Sequence, residues 1–149
     1  MPHLNLAKEM APIYNVDSTV GSGCPNQRGD VFLVQYFIKT IYDRTKDRNY
    51  KWEIAWDDVA PVDGHFTSET PQWIFAFQQW VNRQHNQPDM CVLDRRVDPA
   101  VRLTGGLQHQ VYTILHLNIW FQRLRPGDHA NLTNASDCPP EILKSFILG

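Results

Sequence analysis

The stretch Asp30-Val31-Phe32-Leu33-Val34-Gln35-Tyr36-Phe37-Ile38-Lys39-Thr40-Ile41 decides the fold class of this chain. Val31, Val34, Ile38 and Ile41 recur at steps of three and four residues, and Phe37 widens the stripe they make. That spacing is the period of an amphipathic helix facing a core, and it predicts a helix over about 27–44. Just before it, Gly21-Ser22-Gly23-Cys24-Pro25-Asn26 is a turn signal, with Asn26 as a candidate helix N-cap.

The same period returns twice. Ile74, Phe77 and Val81, flanked by Trp73 and Trp80, predict a helix over about 68–84, capped by Thr67, with Pro71 tolerable only in its first turn. Over 111–124 the period is ambiguous. Val111, Leu115, Asn118 and Gln122 fit a helix face, while Val111, Thr113, Leu115, Leu117 and Ile119 alternate as a strand would. Length and the stop at Pro126-Gly127 favour a helix, which would pack on the two earlier helices in one core. Trp52, Ile54 and Trp56 alternate and predict a short strand. Residues 1–19 read as an irregular arm and 85–110 as mostly connection. Pro139-Pro140-Glu141-Ile142-Leu143 reads as a short helix start.

An internal regularity runs through the three helices. Val34-Gln35, Phe77-Gln78 and Phe121-Gln122 are apolar–Gln pairs at nearly even intervals. Chance can produce this in a chain rich in Gln and aromatics. If the repeat is structural, the apolar residue enters the core, and a buried Gln amide needs loop backbone as its partner.

Composition bounds the function. The chain has 149 residues, 42% apolar and 20% charged, with a net charge of −2. It is expected to be one domain that buries a core without metal or disulfide support. The near-neutral balance lacks the basic footprint of a nucleic-acid binder, and no apolar run reaches the roughly 18 residues a membrane span needs. Residues 1–15 hold Lys8, Glu9 and Pro12 and no continuous apolar stretch, unlike a secretory signal. The chain is therefore expected to start in the cytosol, with export by a dedicated apparatus as an option, or to be a mature form. Cys24, Cys91 and Cys138 are odd in number and widely spaced, which fits reduced thiols better than a disulfide framework.

These residues carry a family resemblance. Val20-Gly21-x-Gly23, Asn26 and Asp30-Val31-x-x-Val34-Gln35 resemble the first helix of the peptidoglycan-binding-domain-like superfamily. Asp63-Gly64-x-Phe66-x-x-x-Thr70 followed by Phe77-Gln78 is similar to its second signature, and Leu93-Asp94-x-x-Val97-x-Pro99 to its closing element. Thr67, Arg95 and Asp98 stand where the family usually has glycine. The resemblance implies a mainly α fold, a small helical bundle over 18–103, to which 104–149 adds a C-terminal helical segment. It also implies a non-catalytic module that binds cell-wall glycan or a cell-envelope partner. The alternative is a structural or docking subunit of a bacterial secretion or phage-related assembly; a cell-wall hydrolase with dispersed catalytic residues is a third class.

Chemistry-bearing motifs are sparse. The six histidines include no His-x-x-x-His pair, and the cysteines lack Cys-x-x-Cys spacing, so neither a metal nor a cofactor is expected. The histidines read as surface or edge residues, Cys91 as a small apolar residue and Asp57-Asp58 as a solvated turn. No catalytic residue is assigned. The expected ligand site is the turn presenting Asp63, His65 and Phe66, with Trp73 as a stacking face for a sugar; packing of Trp73 in the core is the competing reading.

Overall fold

The computed structural model describes residues 13–46, 52–53, 62–84, 90–101, 112–132, 135–138 and 146–148. The three apolar stripes become helices α1 (Arg28–Thr45), α2 (Thr70–Arg83) and α3 (Thr113–Leu124). A short helix α4 (Pro126–Ala130) follows, entered through Pro126 in its first turn. Two three-residue strands, β1 (Ile13–Asn15) and β2 (Phe146–Leu148), pair antiparallel with Ile13 opposite Leu148 and Asn15 opposite Phe146. The fold is mainly helical, as the periodicity predicts.

Helix α1 is the centre. Val31, Phe32, Leu33, Val34, Tyr36, Phe37, Ile38, Ile41 and Tyr42 are all buried, so the helix is covered on nearly every side. Its neighbours are α2 and α3, while α3 also packs on α4 and β1. Phe37 of α1 stacks on Phe121 of α3 with ring centroids 4.5 Å apart. A second aromatic layer joins Trp52, Trp80 and Trp120, at 5.2 Å and 4.7 Å between successive rings. Helix α3 explains its own ambiguous period. Thr113 to Asn118 are buried without interruption, so no exposed face breaks the apolar run and both periods fit it.

Several sequence expectations are corrected. The arm over 1–19 holds β1, whose middle residue is clasped from α3: Tyr14 N–H donates to Asn118 Oδ1 at 2.9 Å, and Asn118 Nδ2 donates to the Tyr14 carbonyl at 2.8 Å. Three residues are too few to show a period. Asn26 does not cap α1; Gln27 holds the cap position, and Asn26, at φ +49°, closes the preceding turn through Gly21 and Cys24. Glu69 holds the cap position of α2, and the Thr67 hydroxyl accepts from Glu69 N–H at 3.3 Å. Of the strand expected from Trp52, Ile54 and Trp56, Trp52 is described and is not in a strand, while positions 54 and 56, like the helix start expected at 139–143, lie outside the described residues. Among the described residues no helix is long and apolar enough to cross a membrane. Cys24, Cys91 and Cys138 form no disulfide.

Two histidines expected at the surface are core residues. His116 is 3% exposed and His129 1%. His129 sits edge-on to the Tyr14 ring, and its Nε2 lies 3.0 Å from Asn118 Oδ1, which already accepts from Tyr14. That shared acceptor makes His129 Nε2 the donor. Burial lowers both imidazoles from the ordinary value to about 4, and the nearby Arg123 charge adds to the shift at His116.

Two outcomes follow from this core. Replacing Phe121 with Ala removes the ring stacked on Phe37 and should cost about 3–5 kcal/mol, a large share of a small domain's stability. Urea denaturation measures it, and a loss under about 1 kcal/mol would contradict the central place of α3. The histidines set a pH dependence. The unfolded chain takes up protons on them near pH 6.5, whereas the folded chain resists until about pH 4. Their stabilising effect is therefore complete above about pH 6.5 and is lost as pH falls toward 4. The urea midpoint should drop across that window, and a flat profile between about pH 7 and pH 4.5 would contradict it.

Candidate functional site

A buried amide side chain must find partners, because leaving it unpaired costs about 1–3 kcal/mol. Gln35 of α1 and Gln78 of α2 are 2% and 0% exposed. Each solves the problem by gripping a loop. Gln35 Oε1 accepts from Asp63 N–H at 3.0 Å and Gly64 N–H at 2.8 Å, while its Nε2 donates to the His65 carbonyl at 3.1 Å. Gln78 Oε1 accepts from Arg95 N–H at 3.0 Å, and its Nε2 donates to the Arg96 carbonyl and Asp94 Oδ1, each at 3.1 Å, and to Thr113 Oγ1 at 3.0 Å.

The two gripped loops are one device used twice. In each an aspartate accepts from the N–H two residues on, Asp63 from His65 at 2.9 Å and Asp94 from Arg96 at 3.0 Å; this is the side-chain turn that Asp favours. The residue after each aspartate is left-handed, Gly64 at φ +80° and Arg95 at φ +62°. The residue three after each aspartate turns inward, Phe66 partly and Val97 fully buried. The apolar–Gln repeat is thus structural for its first two members. The third is not: Gln122 is only partly buried. The buried amide one turn earlier, Asn118, grips β1 instead.

Smaller amides extend the scheme. Asn82 pairs with both the N–H and the carbonyl of Cys91, at 2.8 and 3.0 Å. Asn15 does the same to Ala100, at 3.0 and 2.9 Å. Between these anchors Val97 pairs with Val20 backbone to backbone, and Thr19 Oγ1 donates to Asp98 Oδ1 at 2.8 Å. The segment 90–101 is held along its length.

The loops differ at the left-handed residue. A Cβ on Gly64 would sit 2.6 Å from Phe32 Cδ2 and 2.8 Å from Arg28 Cγ, so this loop lies flat against α1. Arg95 keeps its side chain and lays the guanidinium over the Phe75 ring at 4.4 Å. Arg28 covers Phe32, the residue equivalent to Phe75, at 4.9 Å.

The expected site residues separate. Asp63 is half-buried and its Oδ1 is engaged by His65 N–H. His65 is exposed, and its Nε2 accepts from Arg28 Nη1 at 3.3 Å. Phe66 is half-buried against the core. These three share one surface with Arg28. Trp73 does not join them: it is 6% exposed and belongs to the core, so its face is not offered to a sugar. Arg28 belongs to no motif in the sequence, and the signal at Arg95 is a bulky residue after Asp94 where Asp63 is followed by glycine. Cys91 is buried and its thiol is pushed up to about 12 by that burial, far from a thiolate nucleophile. Asp57 and Asp58 lie outside the described residues. Among the described residues no three His, Cys, Asp or Glu side chains gather to hold a metal. Comparison of the chain with family models, curated proteins and solved structures finds no match.

The asymmetry of the loops is measurable. Gly64→Ala should cost about 2 kcal/mol or more, from a left-handed residue with a Cβ and its clash with Phe32. Arg95→Gly should leave stability within about 1 kcal/mol of the parent, because glycine is at ease there. Thermal melts of the two variants check this; equal losses would contradict the pairing of the loops.

Proposed function

We propose that this chain is a non-catalytic recognition module whose ligand, cell-wall peptidoglycan or a cell-envelope partner, meets the loop carrying Asp63, His65 and Phe66. The observation that carries the reading is the grip of Gln35 on that loop. The Asp63-Gly64 turn, Phe66, Gln35 and Gln78 are residues that carry the family resemblance, and here Gln35 holds the turn in place. A loop fixed before the ligand arrives pays little ordering cost on binding. Beside one another the exposed His65, the Arg28 guanidinium and the Phe66 edge offer hydrogen-bonding groups next to apolar surface, the mixture a saccharide or peptide needs.

The absence of catalysis in this reading rests on what the reactive groups already do. Asp63 closes its own turn and Cys91 is a buried thiol. A nucleophile paired with a base is not found among the described residues. A second reading, a docking subunit of a bacterial secretion or phage-related assembly, is favoured by one observation. Among the described residues the exposed large apolar side chains, Met90, Val92, Leu93 and Val101, all lie in the segment 90–101.

Sedimentation with insoluble peptidoglycan tests the first reading. Retention of the protein, lost in the His65→Ala/Phe66→Ala variant while its helical circular dichroism persists, is the expected result. No retention of a folded sample would move the function to the docking reading.

A further inference from the structure

Helix α3 carries two buried polar atoms that the surrounding protein does not pair. His116 Nε2 and Trp120 Nε1 have no hydrogen-bond partner among the described residues, and they are the two buried side-chain nitrogen or oxygen atoms there of which this is true. Elsewhere the core pairs such groups. Gln35, Gln78 and Asn118 grip distant backbone, and His129 Nε2 meets Asn118. Trp52, in the same aromatic layer as Trp120, donates its indole N–H to Thr45 Oγ1 at 2.9 Å. Against that background two unpaired atoms on one helix need a reason, because a buried donor left unmade costs more than its bond would contribute.

Their spacing suggests a shared partner. His116 and Trp120 are one helical turn apart and lie on one face of α3, where side chains have Cβ atoms about 5–6 Å apart. That is about the span of two hydrogen bonds made to one atom between them. The chemistry narrows what that atom is. The indole N–H only donates. Burial, helped by the Arg123 charge, lowers the His116 imidazole to about 4, so at neutral pH it is uncharged and its Nε2 donates or accepts according to tautomer. Arg123 lies over the Trp120 ring, 5.0 Å from its centroid, but a guanidinium only donates and cannot receive the indole N–H. An anion would have to be stripped of water in the surroundings that keep the imidazole uncharged. A water oxygen accepts from Trp120 and satisfies His116 in either tautomer.

We infer that a buried water molecule is a built-in part of α3, held between Trp120 Nε1 and His116 Nε2. It accepts from the indole N–H. It donates to Nε2 when the imidazole proton is on Nδ1 and accepts from Nε2 in the other tautomer. The site lies where Trp120 meets Trp80 of α2 edge-on at 4.7 Å, so the water completes the hydrogen bonding of an otherwise aromatic contact. This inference does not rest on the ligand reading at the His65 loop.

A high-resolution crystal structure of the full chain, with a second crystal soaked in sodium bromide, tests it directly. One water should lie within about 3.2 Å of both nitrogens, and bromide should not replace it. A second measurement uses β-(3-benzothienyl)alanine introduced at position 120 alone. That side chain keeps the shape of Trp and has sulfur in place of the N–H. The substituted protein should keep its helical circular dichroism and melt about 2 °C or more lower, since the water loses its donor. A protein group paired with either nitrogen, a bromide peak at the site, or an unchanged or raised melting temperature would overturn the inference. The last follows because removing a donor that truly has no partner relieves the fold rather than weakening it.

Discussion

A primary amide inside a helical core has two hydrogens and two lone pairs to satisfy, and the helix backbone around it is already paired. That constraint organises this protein. Gln35, Gln78 and Asn118 each sit on a helix face turned inward, and each reaches past its own helix to the backbone of a distant segment. The loops are then not free to settle elsewhere. Displacing one would strand a buried amide at about 1–3 kcal/mol, a substantial part of what holds a small domain together. Asn15 and Asn82 apply the same logic at the edge, each standing in for one residue of a neighbouring strand. Loop positions are thus written in side chains that belong to the helices and strands.

The same constraint explains what could be read in the residues and what could not. The helices were legible because a period summed over a dozen or more residues outweighs local exceptions. The first two Gln residues were legible as a repeat because they follow core apolar residues in matching helices. Asn118 was not, because it falls inside an apolar run and the apolar–Gln pattern continues at Gln122, one turn further on. Strand β1 was hidden for a different reason. Its three residues carry no period, and its partners are at Asn118 and at 146–148, more than a hundred positions away. The burial of His116 and His129 likewise depends on neighbours that no local window contains. At the expected site, the turn with Asp63, His65 and Phe66 was legible from its turn chemistry. The place of Trp73 was not, since a helix with aromatics on several sides does not reveal which one faces inward.

The two gripped loops show how one scaffold yields two surfaces. The fixed parts are those that satisfy the buried Gln: the aspartate turn, the left-handed residue and the inward apolar residue. The free part is whatever side chain the left-handed residue carries. At Gly64 nothing fits beneath Phe32 and Arg28, so the surface there is made by the next residue, His65. At Arg95 the space above Phe75 is open, and a guanidinium fills it. Since the backbone is held from below in both cases, the outward residues can change with little effect on the fold. This is the condition under which surface chemistry can differ between repeats while the core does not.

That separation bears on how stability and recognition divide along the chain. Every polar group that the fold needs in 90–101 is pointed inward or paired: the Asp94 and Asp98 carboxylates, the N–H and carbonyl of Cys91, and those of Ala100. What remains outside is the rest of the Asp94 carboxylate, two cations and a set of apolar side chains, groups that contribute little to folding when left in water. A segment kept only for its structural bonds would gain solubility by exchanging Leu93 or Val101 for polar residues and would lose strain by exchanging Arg95 for glycine. Both exchanges leave the inward bonds untouched.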